Sequence, residues 1–155
     1  LKLWILAVGD KMPGWVESAC AEYLRRMPRE ARVELVEVRP EKRSGQPADR
    51  IKAAEAARLL EKCPKGVRVV ALDERGAELT TRELAARLSD WLADGRDTAL
   101  VIGGADGLAP EVLERAEMKL ALSRLTLPHG LARVLLAEQL YRAVSLIQGH
   151  PYHRE

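Results

Sequence analysis

The chain has 155 residues, enough for one domain with a full hydrophobic core. Its 47% apolar and 31% charged residues are the balance of a folded globular chain and exclude a disordered or fibrous class. With 25 basic against 23 acidic residues the net charge is +2, so no global positive field announces nucleic acid; with no Phe, three Trp and three Tyr, a broad base-stacking platform is excluded.

Leu3 to Val8 reads as a fully buried first strand, closed by Gly9-Asp10. The run is far too short for a signal peptide or a membrane span, and no other stretch qualifies. Pro13 stands where a first helical turn tolerates it. Val16, Ala19, Cys20, Tyr23, Leu24 and Met27 then recur at helical spacing until Pro28. Val33 to Val38 is a second strand. Arg39 to Arg50 (RPEKRSGQPADR) holds Arg39, Lys42, Arg43 and Arg50 with Gly45 and two prolines, and no large apolar residue. That composition describes a solvated, mobile loop; the sharper alternative is a basic loop that touches phosphate. A polar helix from about Ala48 to Lys62 follows, with Ile51, Ala54, Leu59 and Leu60 on its apolar side.

Val67 to Leu72 is a third buried strand, ending at Asp73-Glu74-Arg75-Gly76. Thr80 and Glu83 are spaced as a capping box. Leu84, Leu88, Trp91 and Leu92 give the next helix its face, and Gly95 ends it. A fourth strand, Thr98 to Ile102, runs into Gly103-Gly104-Ala105-Asp106-Gly107. Pro110 opens a short helix to about Met118. A further apolar piece, Leu120 to Leu127, reads as a strand and ends at Pro128-His129-Gly130. The last helix, Leu131 to Gln148, has almost no polar face, so it must be buried nearly all round. One sheet covers one side only, and a second copy of the chain is the simplest cover for the other, which predicts a homodimer.

Strands alternating with helices imply an α/β fold, a mostly parallel sheet covered on both faces, in a single domain over 1–155. In such sheets ligands bind outside the carboxyl ends of strands. The Gly103–Gly107 turn and the loop at Pro128 therefore read as two walls of one pocket. The glycine loop is not a Walker loop, because no Gly-Lys-Ser/Thr follows, and it sits on a fourth strand rather than the first strand of a dinucleotide fingerprint. Asp106 argues against a polyphosphate and for a neutral or cationic ligand.

All three histidines fall at the end of the chain, His129 at the pocket loop and His150 and His153 in the tail HPYHRE. The tail is dense in groups that stack on bases or bind phosphate. No metal site is expected, because His150-x-x-His153 has no further ligands near it and Cys20 and Cys63 have no ligand spacing. Two cysteines make no disulfide framework, which fits a reducing cytoplasm. Glu138 and Arg142 are spaced as a helical ion pair that either stabilises the last helix or lines an active site.

The segments IGGADGL, LSRLTLPHGLARVLLAEQLYRA and HPYHRE stand in this order. With KLWILAVGDKMPGWVESACAEYLRRMP and KRSGQPADRIKAAE they resemble the small ribosome-directed branch of the SPOUT methyltransferases over essentially the full chain. The resemblance implies a deep C-terminal trefoil knot, a homodimer, and S-adenosylmethionine as cofactor. It implies methylation at N3 of a pseudouridine in large-subunit ribosomal RNA, on the assembled ribosome. Carried over residue by residue, the cofactor would lie against Leu72, Gly103, Gly104, Leu122, Ser123, Arg124, Leu125, Thr126 and Leu127, the last six largely through backbone. N3–H is weakly acidic, so the transfer needs a base or donors that stabilise the anion. His129, Glu138 and His153 are candidates for the first; Arg142, Tyr152 and Arg154 for the second or for phosphate. The rival readings are a SPOUT enzyme acting on transfer RNA and a nucleotide- or RNA-binding module without catalysis.

Overall fold

Every residue of the fourth strand is buried, as are all of the first but Lys2 and Trp4, and the two lie side by side in the middle of a single sheet. In the computed structural model, which describes residues 1–154, five parallel strands are ordered β2-β1-β4-β3-β5. They are β1 (Lys2–Val8), β2 (Arg32–Val38), β3 (Arg68–Glu78), β4 (Thr98–Ile102) and β5 (Met118–Ala121). The helices are α1 (Gly14–Arg25), α2 (Ala48–Lys62), α3 (Thr81–Asp94), α4 (Pro110–Arg115) and α5 (His129–Gln148), with 3-10 turns at Arg29–Ala31 and Pro151–Arg154.

Alternate residues of β1 feed two cores. Leu3, Ile5 and Ala7 meet Leu84, Leu88 and Trp91 of α3 and Leu136, Leu140 and Val144 of α5. Leu6 and Val8 meet Ala56 and Leu59 of α2 and Val112 of α4 on the opposite face. The capping box is complete: Glu83 N–H donates to Thr80 Oγ1 at 3.1 Å and Thr80 N–H donates to Glu83 Oε1 at 3.0 Å. Gly95, at φ 69°, closes α3 in the left-handed region.

The structure departs from the sequence reading in four places. β3 does not stop at Leu72. Leu72 pairs with Leu120, Asp73–Gly76 bulge out, and Ala77 then pairs with the same Leu120. Gly76 permits the return: a Cβ there would sit 2.6 Å from the Lys119 carbonyl. β5 ends at Ala121, and 122–128 is a loop rather than the rest of a strand; Ser123 Oγ accepts from Leu125 N–H at 2.9 Å, a turn of the Ser/Thr kind. α4 ends at Arg115, because Glu117 N–H already donates to Val69 O at 2.9 Å. α5 begins two residues early, at His129, with Pro128 in the N-cap position.

On α5, Leu136, Ala137, Leu140, Ala143 and Val144 are buried in the protomer, while Val134, Leu135, Glu138, Tyr141 and Arg142 are half-buried. Arg133 is 1% exposed. It pairs with Glu37 and donates to the carbonyls of Val8 at 3.4 Å and Gly9 at 3.1 Å, tying α5 to the ends of β1 and β2. Among the described residues no helix is long and apolar enough to cross a membrane.

Candidate active site

β4, β3 and β5 are neighbours, so the three chains leaving their carboxyl ends stand together. After β4 the chain doubles back. Gly107 N–H donates to Gly104 O at 3.0 Å, and a Cβ on Gly103 would lie 2.6 Å from the Gly107 carbonyl. That position admits only glycine without a shift of the backbone. A Cβ on Gly104 would meet Glu55 Oε1 and Val8 Cγ1, each at 3.1 Å. The second wall is Leu72 with the bulge that follows it, and the third is the loop after β5. They enclose a cleft of about 760 Å³, the size range of a cofactor site.

Of the residues carried over from the family, Leu72, Gly103, Gly104, Leu122, Ser123, Leu125, Thr126 and Leu127 line this cleft. The Arg124 side chain does not; it points outward, with Nε donating to Glu78 Oε1 at 2.6 Å. Thr126 Oγ1 lies 3.4 Å from Glu74 Oε2, joining the third wall to the second. The floor is apolar, from Leu72, Ile102, Leu120, Leu122 and Leu127. Around it stand the carboxylates of Asp73, Glu74 and Asp106 and the cations of Lys52 and Arg75.

His129 lines the cleft from the first turn of α5. The other five catalytic candidates do not reach it within one protomer. Glu138 and Arg142 are nine and thirteen residues further along α5, about 14 and 20 Å at 1.5 Å per residue. There they form a cluster with the tail. Tyr152 Oη donates to Glu138 Oε2 at 2.8 Å, and Arg142 Nε donates to the same oxygen at 2.9 Å. The Arg142 guanidinium sits 5.0 Å from the Tyr152 ring, whose centroid is 4.7 Å from that of Tyr141. Burial, then hydrogen bonding to Tyr23 and Glu138, pushes the Tyr152 phenol well above its ordinary pKa. The tail is thus an ordered 3-10 turn rather than a frayed end. In it His153 Nδ1 is buried without a partner among the described residues, and Arg154 is exposed. Glu155 lies outside the described residues.

The basic loop is held in place, against the expectation of mobility. Arg58 of α2 donates to Arg39 O at 3.0 Å and to Glu41 at 2.8 Å, and Glu41 N–H donates to Glu55 Oε2 at 3.1 Å. Arg43 makes a two-pronged pair with Asp106 of the glycine loop, at 2.7 and 3.1 Å. Glu55 is 5% exposed with Oε1 unpartnered among the described residues, and burial raises its carboxyl pKa. Sequence reasoning missed Arg133, Glu55 and Lys52. A lone charge at a position of apolar periodicity was the available signal for the first two. A smaller cavity of about 250 Å³, between α1, β2 and α5, is edged by Cys20 and by the Arg133–Glu37 pair, whose charges are already matched. Among the described residues no cluster of His, Cys, Asp and Glu is arranged to hold a metal.

The sequence matches a family model described as a predicted SPOUT methyltransferase over residues 1–153. A relative from Burkholderia ambifaria named ribosomal RNA large subunit methyltransferase H is 59% identical over 155 residues, covering 99% of each chain. A protein of the same name from Burkholderia mallei is 61% identical with the same coverage. A solved structure of a probable methyltransferase from Bordetella pertussis Tohama I superimposes with a TM-score of 0.57, at 22% identity, over 92% of this chain and 95% of that one. That likeness speaks to the fold. The full-length family match and the relatives near 60% identity speak to descent, and the chain belongs to the SPOUT methyltransferase family.

Proposed function

We propose that the protein transfers a methyl group from S-adenosylmethionine to N3 of a pseudouridine in large-subunit ribosomal RNA, on the assembled ribosome, as a cytoplasmic homodimer. The observation that carries this reading is identity of 59–61% over 99% of relatives named ribosomal RNA large subunit methyltransferase H. The cleft suits the cofactor. Its apolar floor fits an adenosine, the bare backbone at Gly103 and Gly104 allows close approach, and Glu74, a lining carboxylate with no arginine paired to it among the described residues, favours a cationic ligand. Membership of the SPOUT family implies a C-terminal trefoil knot.

When bound, S-adenosylmethionine supplies a methyl group already activated on a sulfonium. The protein's task is then to place the acceptor in line and to take its proton. His129, on the cleft wall, is the candidate to accept the N3 proton. The Arg142 and Tyr152 groups can stabilise negative charge on the base carbonyls only if they enter the cleft from a second copy. Leu135 and Arg142, half-buried on the side of α5 away from the core, support that arrangement as a surface on which a second α5 could pack.

The deciding experiment is mass spectrometry of ribosomal RNA from a strain lacking the gene, before and after incubation of its ribosomes with purified protein and S-adenosylmethionine. A single added methyl on a pseudouridine of the large subunit is expected. Methyl transfer confined to transfer RNA, or none to any RNA, overturns the reading.

A further inference from the structure

Three arginines stand on three segments that border the cleft: Arg75 lines it, Arg43 is bonded to the lining residue Asp106, and Arg124 lies between the lining residues Ser123 and Leu125. Arg43 belongs to the basic loop, Arg75 to the β3 bulge and Arg124 to the loop after β5. Their side chains are 60%, 82% and 88% exposed, yet each head rests on a carboxylate beside it. Arg43 lies 2.7 Å from Asp106, Arg75 lies 3.8 Å from Asp73, and Arg124 lies 2.6 Å from Glu78. The Asp106 and Asp73 side chains are far less exposed than their partners, at 16% and 14%. Asp106 and Asp73 are therefore built into the walls with the arginine heads on the solvent side, while Glu78, at 49% exposure, meets Arg124 at the surface.

Exposed ion pairs of this kind contribute little to stability, so they do not explain why all three segments share the arrangement. What they do is hold long, flexible side chains in one place around the mouth of the cleft. The Arg43 fork already meets two oxygens, Nη1 to Oδ2 and Nη2 to Oδ1, the two-pronged geometry that a guanidinium also makes with a phosphate. A polyanion has an advantage over a side-chain carboxylate, because each phosphate neutralised also releases condensed counterions. Lys42 beside Arg43, and Lys52 on the cleft wall, add positive charge on the same side.

We propose that Arg43, Arg75 and Arg124 form a collar that grips the RNA backbone phosphates on either side of the nucleotide entering the cleft. Asp106, Asp73 and Glu78 hold the heads in position until RNA displaces them. The inference rests on the RNA substrate proposed above and assigns the residues that grip it. It also makes the basic loop a working part of the site through an exchange of partners rather than through free positive charge.

The test is binding of the full-length protein to assembled ribosomes over a range of salt. The variants are the triple Arg43→Ala, Arg75→Ala, Arg124→Ala and the matching triple Arg→Lys, both checked for the native fold by circular dichroism. The alanine triple is expected to lose at least tenfold in affinity. The slope of log affinity against log salt should shrink by about 2, at roughly 0.7–0.9 per phosphate contact. The lysine triple should keep the slope, because charge remains, while losing part of the affinity with the planar fork. Asp106→Asn should bind at least as tightly as wild type, since it releases the Arg43 head. Unchanged affinity and slope in the alanine triple, with wild-type protein methylating the same ribosomes, overturns the collar and leaves the proposed function standing. Wild-type protein that neither binds nor methylates ribosomes overturns both.

Discussion

Arg133, near the start of the last helix, donates to the carbonyl of Gly9, at the end of the first strand, across 3.1 Å. The two residues are 124 apart in the chain, and the same guanidinium pairs with Glu37 of β2. Arg133→Ala strands a half-covered carboxylate and removes the donor for two carbonyls. A loss of roughly 3–5 kcal/mol in urea-denaturation stability is expected, because breaking one side of a buried pair leaves the other uncompensated. Wild-type stability in the variant contradicts this role.

The two glycines that open the loop after β4 should respond differently to the same change. Gly103→Ala places a methyl 2.6 Å from the Gly107 backbone, which must move. Gly104→Ala places one 3.1 Å from Glu55 Oε1 and from Val8 Cγ1, a milder approach made to side chains rather than to backbone. Calorimetry with S-adenosylmethionine should show at least a tenfold loss for Gly103→Ala and a smaller loss for Gly104→Ala. The reverse order, or no loss in either, removes the loop from the site.

Glu55 gives the stability a definite pH dependence. Burial raises its carboxyl pKa above the ordinary value of 4.5, so over the window just above that value the folded chain holds more proton than the unfolded one. The stabilising difference is present at and below 4.5 and is lost as pH rises through the folded pKa. Glu55→Gln removes the buried charge and can keep an acceptor for Glu41 N–H. The variant should be more stable than wild type at pH 8, by about 1–3 kcal/mol, and the gap should narrow toward pH 5. Thermal melts of both proteins across that range decide it; a gap that widens on acidification contradicts the assignment.

The outer face of α5 is expected to be a dimer interface. Sedimentation at micromolar concentration should give about twice 17.2 kDa. Leu136 already sits in the protomer core, so a charge there unfolds the chain and reports nothing about the partner. Leu135 is half-buried and is the informative position. Leu135→Lys should give a folded monomer or a dimer weakened at least a hundredfold. A wild-type protein that sediments as a folded monomer ends the idea.

Truncation after Gly149 removes the Tyr152–Glu138 bond and the ring packed on Tyr141, but none of the residues that line the cleft. Binding of S-adenosylmethionine should change less than threefold. Methylation of ribosomes should fall at least tenfold, because losing one well-placed contact in the transition state costs about 1.4 kcal/mol or more. Full-rate methylation by the truncated protein assigns the chemistry to the cleft residues alone.

Much of the architecture was legible because it rests on local signals. Buried strands read as unbroken apolar runs, the Thr80–Glu83 box announces α3, and the glycines after Ile102 mark the turn. The misreadings have physical causes. Asp73-Glu74-Arg75-Gly76 looks like the end of a strand, and only the backbone of Lys119 shows that the chain rejoins the sheet. Leu122, Leu125 and Leu127 look like strand residues, yet all three line the cleft, and only Leu122 also packs against the core. The apolar pattern of α5 hid Arg133, whose partners lie on strands more than ninety positions away. The Arg43–Asp106 contact spans 63 residues, and no local pattern encodes it. His129 could be placed at the cleft from its loop, and the helical rise alone puts Glu138 about 14 Å further on, whereas the fold of the tail back onto Glu138 through Tyr152 is a tertiary contact that no local pattern encodes.

The double pairing of Leu120, with Leu72 and again with Ala77, separates the length of one cleft wall from the register of the sheet. Residues inserted between Asp73 and Arg75 would extend the rim while Leu72 and Ala77 keep their partner. A designer who wishes to widen or narrow the mouth thus has a splice point there, with Gly76 as the one residue that must stay.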